Sequence, residues 1–159
     1  MPAERGFTLI EILVVVVIIG TTLGFAMLAF GDFGASRKAT VTAEQFSSYI
    51  KLVQQRAILE ANAFAINLNK EGYETLRFNQ NSWQSMPNKG IFHWRSFPPT
   101  IVVALHRTRR QIKKPEIIIS SSGDMTEFRI DFGTSSQADI ATLVGTEDGQ
   151  LAIQHPKSP

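Results

Sequence analysis

The chain contains no cysteine, which excludes a disulfide framework, any thiolate metal site and a cysteine nucleophile. A dominant charge is missing as well. Sixteen Lys and Arg against fourteen Asp and Glu leave a net +2 over 159 residues, too little to single out an acidic partner. The histidines are His93, His106 and His155, and none stands at metal-ligand spacing with another histidine or a carboxylate. There is no phosphate-binding glycine loop and no dinucleotide fingerprint. Ser120-Ser121-Ser122-Gly123-Asp124 lacks the G-x-S-x-G context of a nucleophile and reads as a turn. Asp139, Glu147 and Asp148 fit no calcium-loop template and read as solvated turn residues. With no catalytic constellation in the sequence, the expectation is a protein that is not an enzyme and carries no cofactor or metal.

What the chain does have is one long hydrophobic run. From Phe7 to Phe30, Glu11 is the only ionisable residue. At about 1.5 Å of rise per residue, such a helix crosses a hydrocarbon layer of roughly 30 Å. A carboxylate there costs about 2.5–3.5 kcal/mol or more, so it calls for a function and a partner. A secretory signal peptide has a shorter apolar stretch of about 7–15 residues behind a basic start; here only Arg5 precedes the run. A plain signal anchor fits the length but leaves Glu11 without a reason. Cleavage in front of the helix accounts for both features. A cut after Gly6 would put a new amine on Phe7, one helical turn from Glu11. Pairing that amine with a carboxylate, within a chain or between neighbours, neutralises two costly charges together. The flanking charges, Arg5 before the run and Arg37 and Lys38 after it, do not decide orientation.

The run loosens at Gly31-Asp32-Phe33-Gly34, expected to be a flexible exit through which a helix can still continue. Beyond it, Ala39, Ala43, Phe46, Ile50, Val53, Ala57 and Ala61 recur at intervals of three and four, predicting a helix over 36–63 with one core-facing stripe. The pattern then turns to about seven short strands. Residues 63–68 and 73–78 flank a turn at 69–72; residues 79–99 read as a long loop suited to partner recognition. Residues 100–105 form a β-branched run. Residues 116–121 and 126–132 are expected to pair across Ser122-Gly123-Asp124, and 140–144 and 150–153 across Glu147-Asp148-Gly149. One charged cluster stands out: Arg107, Arg109, Arg110, Lys113 and Lys114, closed by Pro115. It reads as a solvated loop or as an electropositive patch for an acidic partner, lipid headgroups or DNA phosphates. The cluster holds no interleaved aromatic, which argues against stacking on single strands.

Gly6-Phe7-Thr8-Leu9-Ile10-Glu11, followed by the apolar run to Gly20, resembles the class III signal of type IV pilins and type II secretion pseudopilins. A helix followed only by β-hairpins, with Gly123-Asp124 and Glu147-Asp148-Gly149-Gln150-Leu151-Ala152-Ile153 near the end, is similar to the GspH/FimT group of minor pilins. The first quarter of the chain carries the sharp part of this likeness. The resemblance implies an α+β pilin-like fold, with a long N-terminal transmembrane and amphipathic helix packed on a C-terminal antiparallel β domain. It implies a prepilin leader over 1–6, a transmembrane helix over 7–30, its amphipathic continuation over 31–62, a periplasmic β domain over 63–154 and a tail over 155–159. It further implies cleavage between Gly6 and Phe7 by a prepilin peptidase, methylation of the new amine, and a meeting of Glu11 with a neighbour's amino terminus during fibre assembly. Partners on this reading are the peptidase and sibling major and minor pseudopilins, with the secretin and secreted substrate as further candidates and nucleic acid disfavoured. The expected role is that of an H-type minor pseudopilin, single-pass in the bacterial inner membrane with its C-terminal domain in the periplasm, at or near the fibre tip. The alternative is a FimT/FimU-like minor pilin of a type IV pilus, contacting DNA.

Overall fold

The structure, a computed structural model, describes residues 7–87, 90–106 and 115–155, leaving the side chains of 28–33 outside the description. The helix α1 spans Leu9–Glu60. Its backbone stays helical through Gly31–Gly34, so two glycines in four residues are tolerated rather than terminating, at about 1 kcal/mol each relative to alanine. The chain divides into two compact units after Gly34.

In the second unit, the face of α1 predicted from periodicity is the buried one. Ala39, Ala43, Phe46, Ile50, Val53 and Ala57 are all essentially inaccessible, and Tyr49 joins them. Ala61 does not: it is exposed, and the helix has already ended. Its φ is +47°, and the amides of Ala61 and Asn62 donate to the carbonyls of Ile58 and Ala57 at 3.2 and 3.1 Å. This is the double closure of a Schellman cap, with alanine in the left-handed position that glycine usually fills. Glu60 sits unfavourably at the negative end of the helix dipole, but it pairs with Arg56 and, at 3.1 Å, with Arg77.

Nine strands follow among the described residues. The first sheet runs in the order β3 (Ser82–Ser85), β2 (Gly72–Asn79), β1 (Phe64–Leu68), β6 (Ile117–Ile119), with β4 (Arg95–Ser96) also paired to β2. The second runs β5 (Val102–His106), β7 (Phe128–Gly133), β8 (Ala141–Gly145), β9 (Leu151–Gln154). Every pairing is antiparallel. The core joins the α1 stripe to Phe64, Ile66, Ile117, Ile119, Phe128, Ile130, Phe132 and Leu143. Phe46 lies at its centre, edge-on to Tyr73 at 4.7 Å and to Phe97 at 5.9 Å.

Two expectations need correction. Residues 79–99 are not one loop: a two-residue turn at Gln80 and Asn81, with φ of +46° and +64°, folds β3 back onto β2, and β4 returns to it at Gly72. The turn has the positive φ values of type I′ without the Asn-Gly or Asp-Gly that announces one. Residues 116–121 and 126–132 do not form a hairpin either. The turn is real, with Ser120 N–H donating to Asp124 at 2.8 Å and Ile119 bridging Met125. Beyond it the chain crosses over, so β6 joins β1 and β7 enters the other sheet.

Candidate functional site

The N-terminal segment places Glu11 in the first turn of α1. Thr8 stands just before α1, and its carbonyl accepts from the amides of Glu11 and Ile12 at 3.1 and 3.3 Å. Glu11 turns back toward the same residue, with Oε2 3.5 Å from the Thr8 amide. That is one half of a capping box, the acid at N3 reaching for the N-cap amide, where the helix dipole also favours negative charge. The carboxylate is therefore aimed at the beginning of the helix, beside Phe7, rather than along the apolar run. Thr8 is a residue that sequence reasoning passed over. Its signal was the Thr-x-x-Glu spacing ahead of a hydrophobic stretch.

Leu9–Met27 is long and apolar enough to cross a membrane, with a mean hydropathy of 2.5 and no part of that window buried in the protein. Thr21 and Thr22 fold their hydroxyls onto the carbonyls of Val17, Ile18 and Ile19 at 2.8–3.0 Å, so each satisfies its own polar group within the helix.

Other candidates resolve into structural roles. Ser120, Ser122 and Asp124 hydrogen-bond among themselves at 2.6–2.7 Å in a turn. His93 Nδ1 faces the Gly90 carbonyl, which only accepts, so the ring donates. His106 Nε2 lies 2.8 Å from Asp131, whose other oxygen accepts from Thr142 at 2.6 Å. Here the hydroxyl bonds the acid and not the imidazole, which is not the order a nucleophile needs. Among the described residues no three metal-ligating side chains gather. Gly6 and the cluster of Arg107, Arg109, Arg110, Lys113 and Lys114 lie outside the described residues.

The prokaryotic N-terminal methylation motif matches residues 1–27. The type II secretion system protein H of Pseudomonas aeruginosa is 30% identical, over 82% of this chain and 83% of that relative. This chain belongs to the type II secretion system protein H family. The minor pseudopilin EpsH of Vibrio cholerae shares its fold, with a TM-score of 0.64 at 18% identity over 76% of this chain and 99% of EpsH. The type IV minor pilin FimU of Pseudomonas aeruginosa is a more distant likeness in fold, with a TM-score of 0.57 at 14% identity over 79% and 98%. The chain is thus a minor pseudopilin of the type II secretion system, in a family of structural subunits, with its apolar helix as membrane anchor. The α+β pilin-like fold expected of an H-type pseudopilin is the one observed. With the motif come processing by a prepilin peptidase and interaction with other pseudopilins.

Proposed function

We propose that the chain is cut between Gly6 and Phe7, methylated on the Phe7 amine, and drawn into the periplasmic pseudopilus by Glu11, at or near the tip. The observation that carries this is the placement of Glu11: the only ionisable residue in the anchor, turned back to the helix start where the amine would appear. Oε2 leans on the Thr8 amide of its own chain at 3.5 Å, and among the described residues Oε1 has no partner. A neighbour's amine can take that oxygen, which fixes the axial register between adjacent helices. Before assembly the protein sits in the inner membrane as a single-pass subunit, with 63–154 as its periplasmic domain. The secretin and secreted cargo are candidate contacts of that domain.

The decisive experiment is complementation of a strain lacking this gene. Wild type and Glu11→Ala should both reach the membrane, and only the wild type should restore secretion and co-purify with sibling pseudopilins. Full secretion by Glu11→Ala would remove the assignment of Glu11.

A further inference from the structure

The β6 border of the first sheet and the β9 border of the second are finished differently. At the β6 border of the first, Thr126 closes the edge: its amide donates to the Ile118 carbonyl at 2.9 Å, and its hydroxyl accepts from the Ile118 amide at 3.2 Å. At the β9 border of the second, no backbone group among the described residues pairs with the outer side.

Which groups face outward follows from the register. Thr146 N–H donates to the Gln150 carbonyl at 3.0 Å, so residues 146 and 150 are a hydrogen-bonded pair. Antiparallel pairs alternate, and Val144 with Ala152, then Thr142 with Gln154, are the next such pairs. Ala152 and Gln154 therefore spend their amides and carbonyls on β8. The amides and carbonyls of Leu151 and Ile153 point the other way, off the sheet.

Apart from its shortness, at four residues, the strand itself carries little of the usual protection of an open edge. Leu151-Ala152-Ile153-Gln154 has no charge and no proline, where exposed edges are ordinarily blunted by lysine or proline. Its inward side chains, Leu151 and Ile153, pack against the core but are only half-buried. The core face thus runs past its last strand and stays partly uncovered.

We infer that the outer edge of β9 is a docking edge for an extended strand of a sibling pseudopilin, which extends the second sheet by one antiparallel or parallel strand. Alternating donors and acceptors along a strand are matched only by another extended backbone, about 4.8 Å away. The half-covered Leu151 and Ile153 call for apolar side chains at every second position of the incoming segment. Ala152 and Gln154, exposed on the opposite face, accept polar ones. The sibling as occupant rests on the fibre-subunit reading above.

The test is amide hydrogen exchange on the full-length mature chain in detergent, alone and mixed with sibling minor pseudopilins of its own secretion system. The amides of Leu151 and Ile153 should exchange fast in the free chain and slow about tenfold or more in the complex, with Ala152 already protected in both. Co-purification without protection at 151 and 153 overturns the docking edge and leaves the pseudopilin role standing. Absence of any complex overturns the fibre-subunit reading itself. Protection of the chain alone as concentration rises overturns the sibling as occupant in favour of a second copy. A variant pair gives an independent readout. Ile153→Pro removes the outward donor without breaking a β8–β9 bond, while Ile153→Ala removes the same packing and keeps the amide. Binding should fall about tenfold further for proline than for alanine, and equal loss in the two variants overturns the proposal.

Discussion

Ala61 holds a left-handed backbone at φ +47°, a conformation that costs an L-residue about 1–2 kcal/mol and glycine nothing. Glycine loses about 0.5–1 kcal/mol more entropy on folding than alanine, which offsets part of that gain. Ala61→Gly should therefore stabilise the fold by roughly 0.5–1 kcal/mol, read as a higher denaturant midpoint at unchanged slope; a lower midpoint would refute the cap. Tyr49 makes a second residue-scale prediction. Its hydroxyl bonds Thr75 in the core, and burial, partly offset by that bond, pushes its pKa up to about 12. The folded state thus holds the phenolic proton more tightly than the unfolded chain, whose tyrosine titrates near 10. This contribution is complete below pH 10 and is lost as pH rises toward 12. Tyr49→Phe should flatten the alkaline fall in stability over that window. At neutral pH it should cost about 1–2 kcal/mol, because the Thr75 hydroxyl is left buried and unmatched. Chemical denaturation at several pH values checks both.

At the scale of elements, one side chain of α1 ties down two turns. Gln54 Nε2 donates to the Gly123 carbonyl at 2.7 Å and the Gly149 carbonyl at 3.1 Å, linking the β6–β7 crossover to the β8–β9 turn. The two turns touch so closely that a Cβ on Gly149, at φ +80°, would run into Gly123 O and Gln54 Nε2. Gln54→Ala should cost about 1–3 kcal/mol, since two part-buried carbonyls lose their donor together, and should raise hydrogen exchange in both turns at once. A rise confined to one turn would show that they are not coupled through the helix. This arrangement also marks how far sequence could see. The α1 stripe was legible because helical burial repeats every three to four residues and nothing interrupts it between Ala39 and Ala57. The turns at 69–72 and 147–149 were legible because their chemistry is local: Asn69 Oδ1 accepts from the amides of Glu71 and Gly72 at 2.8 and 2.9 Å, and Gly149 supplies the positive φ. The β6–β7 turn was equally legible, but its strands were not. Which sheet a strand joins is decided by distant partners, Phe64 and Ile66 for β6 and Val103 and Leu105 for β7, and local pattern carries no record of them. Gln54 itself escaped the sequence reading, because one side-chain amide serving two loops leaves no periodic trace.

For the molecule as a whole, Glu11 announced itself by chemistry rather than by pattern. A lone carboxylate in an apolar run is anomalous on solvation grounds alone, and the fold adds that it bends back to the helix start. The consequence reaches the mature chain. With the Gly6–Phe7 bond intact, the group beside Glu11 is a neutral amide, and among the described residues the carboxylate has only the 3.5 Å contact to Thr8. Cutting that bond turns the amide into a cation one helical turn from the acid. Intact-mass measurement on chain purified from a host with its prepilin peptidase should show loss of residues 1–6, a first residue of Phe7 and one added methyl group. In a host without the peptidase the chain should stay full-length in the membrane and fail to co-purify with sibling pseudopilins. A first residue other than Phe7 would leave Glu11 without its charge partner, and the account of assembly built on that pair would fail with it.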